Sequence, residues 1–392
     1  MTVLTGYDTF DGLNWETGTI CNALAYQGVQ APHTGEPYTE ALLLGVSGGA
    51  MMGYFTFSYE GYDPQARIMT RHTFDPMPTL LSRLGVVQHD EQTGSAKKAR
   101  ENLQAALEAG LPAIVWADMW SLPYNALEFD ESWWAMLPIL VYGLADGQAH
   151  IADRARVPLH VSEDTLAAAR ARTKKAKHRL ITIEPPNPEK LAAAVQLGIW
   201  DCIKLYTEAP PKGSAKNFGL AAFTTWADGL VKASGRSSWE KVFPPGRPML
   251  AGLSSAFSDV MIFGKDGQAE RDRYADFLDE AAIILERPGL REAAQHFRES
   301  GQAWDRLAYT LLPDSVPALA EMRDLMLANH RAFLAEGHIP AENLARIEAI
   351  KAGDFPLDEG EVADLRENLA EQILALRDLE AEAVGSLQAA MD

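Results

Sequence analysis

The chain has little cysteine, too few cations and no long apolar run, and each shortage removes a class of protein. Two cysteines, Cys21 and Cys202, in 392 residues cannot build a disulfide framework, and they suit a reducing compartment. Lys and Arg number 35 against 54 Asp and Glu, a formal net charge of -19. Affinity for a phosphate backbone rests on cationic side chains, so no nucleic-acid partner is expected. Nothing approaches the roughly 20 apolar residues of a membrane span; the longest stretch, 135–144, is strand-sized and interrupted by Pro138. The opening residues lack a basic segment followed by an apolar core, so no secretory signal is expected and the cytoplasm is the default. No His-x-x-x-His, no Cys-x-x-Cys and no carboxylate cluster supports a metal. The glycine-rich turn at 45–53 lacks the G-x-G-x-x-G spacing and runs from helix to strand, the reverse of a dinucleotide site. It reads as close backbone packing, and no cofactor is expected.

What remains is a soluble globular composition, 47% hydrophobic and 23% charged, over a length that calls for two domains. From 13 to about 179 the text is mixed α/β. A helix is predicted over 16–27 with Gly28 as its stop, and another over 38–44 ending at Gly45. An aromatic strand follows at 54–59, then a helix over 96–109, closed by Gly110 and Pro112 before a buried strand at 113–116. Strands at 138–142 and 150–152 join through Ala145-Asp146-Gly147-Gln148, a hairpin signal. A helix over 162–171 opens on an N-cap serine with acidic residues in its first turn. The stiff run Glu184-Pro185-Pro186-Asn187-Pro188 marks the boundary, giving domains 1–184 and 189–392. Beyond it, 3.6-residue periodicity predicts helices over 189–206, 218–233, 270–285, 290–310, 315–335 and 362–391, a helical bundle. The last carries Val362, Leu365, Leu369, Ile373, Leu376, Leu379 and Leu387 on one side. That stripe closes the bundle or zips against a second copy, hence an expected homodimer. The basic run at 170–179 reads as a solvated helix end or as a docking patch for an acidic carrier protein.

Several segments in one order resemble a known family. Trp15-Glu16-Thr17 leads into a helix ending Tyr26-Gln27-Gly28, followed by Thr39-Glu40-Ala41-Leu42-Leu43-Leu44-Gly45-Val46-Ser47-Gly48-Gly49 and Gly53-Tyr54-Phe55. Asp118-Met119-Trp120-Ser121-Leu122-Pro123-Tyr124 and His150-Ile151-Ala152-Asp153-Arg154 come later. Together they are similar to the N-terminal domain of the butirosin-biosynthesis acyltransferase H family. Asn217-Phe218-Gly219-Leu220, 273–281 and 304–308 resemble its helical C-terminal domain. The resemblance implies a papain-like α/β (α+β) fold followed by an all-α domain. The family's namesake moves an acyl group from a carrier protein onto an aminoglycoside amine, which needs a thiolate, a histidine and oxyanion donors.

Placed residue by residue, the family's His-Cys falls on Asn14-Trp15, and its histidine ahead of a Val-rich strand falls on Leu137 or Met136. Both reactive positions are thus apolar, and only the orienting acid, Asp153, has a counterpart. Asp153 alternatively caps a turn or pairs with Arg154 or Arg156. Cys21 lies six residues past Trp15, roughly 9 Å along the helix axis, too far for a nucleophile in an unshifted cleft; it reads first as a packed thiol and second as a relocated nucleophile. His150 is closest to Asp153, but strand alternation points the two to opposite faces. Asn14, Trp15, Asp118, Trp120, Tyr124 and Leu137 form the candidate ligand pocket, within an aromatic set that includes Trp116, Trp133, Trp134 and Tyr142. The first expectation is therefore a pseudoenzyme that binds a small apolar or acylated molecule, or scaffolds one, with an acyl carrier protein as a possible partner. The alternative is an active acyltransferase or amidohydrolase using Cys21.

Overall fold

The computed structural model describes residues 2–233, 235, 238–263 and 267–392. Two compact units arise, one from Met1–Leu43, Met77–Leu191 and Asn329–Ala341, the other from Leu44–Pro76, Ala192–Ala328 and Glu342–Asp392. Against the expected 1–184 and 189–392, residues 44–76 therefore group with the helices and 329–341 with the sheet.

The first unit is built on a seven-stranded antiparallel sheet. Its order runs Gln88–Glu91, Leu180–Ile183, Ala113–Asp118, Met136–Ala145, Gln148–Ala152, Leu159–Ser162, with Thr2–Val3 also paired to Met136–Ala145. The two strands with continuous apolar runs, Ala113–Asp118 and Met136–Ala145, are central and buried along most of their length, because only strands covered on both faces can bury side chains of both parities. The register sets Ala117 opposite Leu137 and Asp118 opposite Met136. Asp146 and Gly147 both take positive φ, 52° and 75°, as a two-residue hairpin matched to strand twist requires. The strand Gln88–Glu91 was not predicted; it is polar, exposed throughout, and pairs only at the sheet edge.

Helix Thr17–Tyr26 ends as predicted, with Gly28 at φ 68° and the Val29 amide donating to the Leu24 carbonyl, a Schellman closure. Ser95 and Ser162 cap the helices Ala96–Glu108 and Glu163–Ala171 by accepting from the amides of Lys98 and Thr165.

The second unit combines a hairpin, Ala50–Phe57 with Gln65–Arg71, and a set of helices. The predicted stop at Gly45 does not hold: the helix runs Glu40–Val46, and the left-handed residues are Gly48 and Gly49, with the Gly49 amide closing on the Leu44 carbonyl. Gly45 is needed for another reason. A Cβ there would lie 2.2 Å from the Phe277 ring, and one on Gly49 would lie 2.4 Å from Tyr274, so the turn is a seat for the helix Arg271–Ile284. The hairpin is tied into the same unit by polar contacts. The Ile68 amide donates to Asp259, the Tyr54 hydroxyl accepts from the Trp239 indole, and Arg71 pairs with Glu270. These ties explain why 44–76 joins the helices.

Helix Arg247–Met261 was not predicted; it is buried along most of its length, and its polar side, Ser254, Ser255, Ser258 and Asp259, is turned to the hairpin, where Ser255 and Asp259 accept from the amides of Ala66 and Ile68. The last helix, Glu359–Met391, starts at a capping box formed by Asp358 and Glu361. It packs on Leu290–Leu311 and Gly219–Val231, burying Val362, Leu369, Ile373, Leu376 and Leu387. No helix among the described residues is long and apolar enough to cross a membrane.

Candidate functional site

The start of helix Thr17–Tyr26 is fixed from three sides. A Cβ on Gly12 would lie 2.2 Å from the Gly18 carbonyl oxygen, so the incoming chain crosses its own helix at backbone contact. The buried carboxylate of Glu40 accepts from the amides of Leu13 (2.8 Å) and Asn14 (3.1 Å) and from the Thr17 hydroxyl (2.8 Å). An anion is favoured there, because unpaired amides and the helix dipole converge on that end. The Asn14 side chain is also occupied, its Oδ1 accepting from the Glu16 amide at 3.0 Å. Nothing in the sequence flagged Glu40 for this role, since the partners lie 23 to 27 residues away.

Trp15, half-buried beside these groups, meets Arg154. The guanidinium lies 4.5 Å from the Trp15 ring centroid and 5.0 Å from that of Phe333, so one cation is shared by two aromatic faces. Its nitrogens are held by the neighbouring acid, Nε to Asp153 Oδ1 at 3.0 Å and Nη2 to Oδ2 at 3.2 Å, and Nη2 also donates to the side-chain Oδ1 of Asn125. Asp153 is buried and additionally accepts from the Tyr124 hydroxyl at 3.0 Å. Burial first, and then the Asp153 charge, push Tyr124 well above the ordinary tyrosine range, so it stays a neutral donor. A bidentate, charge-assisted pair of this kind is strong. It leaves Asp153 committed to a guanidinium, with no oxygen directed at an imidazole.

The pocket residues expected from sequence thus divide. Trp15, Tyr124 and Asp153 meet in one cluster, while the Asn14 side chain closes a local turn onto the Glu16 amide just before the helix. Asp118 is fully buried but tied elsewhere: it accepts from Ser121 (2.7 Å) and the Ala135 amide (2.9 Å) and faces Arg172 at 3.6 Å. Trp120 lies on the 3-10 turn Met119–Ser121. Leu137 lies in strand Met136–Ala145, one residue from the Pro138 carbonyl that accepts from Thr19 on the first helix. Phe333, Asn125 and the placement of Arg154 were missed, and no local signal marks Phe333, which comes from a helix some 180 residues downstream.

The two thiols differ. Cys21 is half-buried with Sγ 3.3 Å from the Tyr38 carbonyl oxygen. Cys202 is fully buried in helix Leu191–Thr207, and burial pushes its thiol up to about 12, so it is inert. The His150 ring contacts Tyr142 and His160, and burial followed by the charge of His160 lowers its pKa. In the basic run, Arg170 is buried and donates to the Ala99 and His178 carbonyls, and Arg179 pairs with Asp90. Lys174, Lys175 and Lys177 are left as its exposed cations. Among the described residues, no group of three or more His, Cys, Asp or Glu is placed to hold a metal ion.

No curated protein matches the chain. Residues 14–154, which hold the helix start, Trp15, Tyr124, Asp153 and Arg154, match the family described as Butirosin biosynthesis protein H, N-terminal, and the chain carries a domain of that family.

Proposed function

We propose that this protein is a catalytically degenerate relative of the acyltransferases suggested by its family, with a papain-like first domain, that binds or scaffolds a small molecule in antibiotic biosynthesis. The observation that carries the reading is Trp15. The indole stands where the family resemblance puts a thiol, and it is stacked under a guanidinium already clamped by the acid that would orient a catalytic histidine. An acyl transferase needs a thiolate and a base in contact. Here the corresponding positions supply an aromatic ring, Leu137 or Met136, and a neutralised carboxylate. The helix start beside these positions is nevertheless firmly built, with Glu40 holding the amides of Leu13 and Asn14 and the Thr17 hydroxyl.

The test is intact-mass analysis after incubation with short-chain acyl thioesters of pantetheine, followed by an amine acceptor. No acyl adduct is the expected result. Relative alkylation rates of the thiols would not decide the matter, because half-buried Cys21 should outrun fully buried Cys202 in any case. An acyl-Cys21 adduct that passes its group to the amine would show that the nucleophile has moved and would sink the degenerate reading.

A further inference from the structure

The Arg154 cluster has the composition of a cation site. Two aromatic faces flank the charge at 4.5 and 5.0 Å, and a buried carboxylate at the base offers both oxygens in the fork geometry that a guanidinium fits. Tyr124 fixes that carboxylate, and the side-chain Oδ1 of Asn125 adds an acceptor. Every group lining it presents a lone pair or a π face. The occupant is the chain's own Arg154, and its backbone is under strain. Its φ is +55°, and the Ala155 amide closes back on the Asp153 carbonyl at 2.6 Å, a γ-turn of the rare positive-φ kind that is populated only where the surroundings impose it. One residue further on, the Arg156 amide is anchored to the Leu334 carbonyl at 2.8 Å. The strained hinge is therefore confined between two fixed points. Relaxing Arg154 to negative φ would relieve the turn and swing the side chain out, leaving Trp15, Phe333 and Asp153 facing an empty cation-sized space. The surplus of acidic groups, net -19, raises the local concentration of organic cations around such an opening.

We propose that Trp15, Phe333, Asp153 and Asn125 form a binding site for an alkylguanidinium or alkylammonium group, and that Arg154 holds it closed as a tethered stand-in. This rests on reading the cluster as a non-catalytic ligand pocket and names the chemistry of its ligand. A ligand must displace Arg154, so its apparent affinity is reduced by the fraction of molecules in which the site is open.

Calorimetric titration with n-butylguanidinium tests the proposal, with n-butylurea as the neutral isostere, on the full chain. Wild type should bind the cation weakly but saturably. Arg154→Ala should bind it at least about tenfold more tightly, as expected when the open form is a tenth or less of the population. Arg154→Ala/Asp153→Asn should lose that gain, and the urea should bind to none of them. Circular dichroism establishes that each variant is folded; if Arg154→Ala is not, Arg154→Gln takes its place. Equal affinity of wild type and the Arg154 variant, or equal binding of urea and guanidinium, overturns the proposal. Binding by the variant with none by wild type makes Arg154 a permanent plug and overturns it as well. Transfer through Cys21 would remove the degenerate reading without altering these titrations, so the two failures are separable.

Discussion

Arg271 and Glu380 are both fully buried, and they organise the second unit at the level of single side chains. The guanidinium donates to Glu380 (2.6 and 3.0 Å), to the Met51 and Thr70 carbonyls (2.8 and 2.7 Å), to the Ala269 carbonyl (2.9 Å) and to the Tyr206 hydroxyl (2.8 Å). Glu380 also accepts from Ser300, Trp304 and Tyr206. Two charges taken out of water this completely persist only when their hydrogen-bonding capacity is filled, and removing one partner strands the other. Glu380→Gln should therefore destabilise the protein by about 3 kcal/mol in urea denaturation. The pH dependence follows from the sign of the shift. Burial alone would raise the Glu380 pKa, but the Arg271 charge and the hydrogen bonds of Arg271, Tyr206 and Trp304 outweigh it, so the folded value lies below the ordinary 4.5. The stabilisation is complete above 4.5 and is lost as pH falls through the depressed folded value. The stability gap between wild type and Glu380→Gln should be constant at neutral pH and shrink below 4.5; a gap that widens in acid would contradict the assignment.

At the scale of elements, glycine decides where helices meet. A Cβ on Gly198, inside Leu191–Thr207, would lie 2.1 Å from the Gly45 carbonyl oxygen and 3.0 Å from the Val46 Cα. Both obstacles are backbone and cannot swing aside. Gly28, at φ +68°, meets nothing within 4 Å. Gly198→Ala should thus cost about 3 kcal/mol, at the upper end of overpacking, whereas Gly28→Ala should cost only the left-handed penalty of about 1 kcal/mol. Chemical denaturation of the pair measures both, and equal costs would mean that the helix crossing adjusts. The elements themselves were largely legible in sequence wherever a cap or stop was present: Ser162, Gly28, Gly110 and the Asp146-Gly147 hairpin all act locally, within a few residues. Gly45 was misassigned because its requirement is a neighbour, Phe277, that lies 232 residues along the chain. The helix Arg247–Met261 was overlooked although Ser254, Ser255, Ser258 and Asp259 follow helical spacing; its polar side meets the hairpin backbone, whose partner residues lie 189 and 191 positions away in the chain.

For the whole molecule, the last helix carries more than its own length suggests. Glu359–Met391 covers the apolar sides of Leu290–Leu311 and Gly219–Val231 and supplies Glu380 to the buried Arg271. Deleting 359–392 should abolish cooperative thermal unfolding and leave a species that binds hydrophobic dyes. A sharp transition near the wild-type midpoint would mean that this helix is an appendage, free to zip with a second copy.

The amino-acid sequence by itself determined the mixed sheet and helical content, the local caps and turns, the family signature, and the presence of Trp15 and Leu137 where the family resemblance expects a thiol and an imidazole, because each depends on residue identity or short-range periodicity. Only the tertiary structure decided that residues 44–76 join the helices, that Glu40 holds the first helix, and that Trp15 is covered by Arg154 with Phe333 on its other side. Those outcomes rest on contacts between residues tens to hundreds of positions apart. Such contacts form only where packing, buried charge and backbone strain are satisfied together, and a linear pattern does not contain that condition.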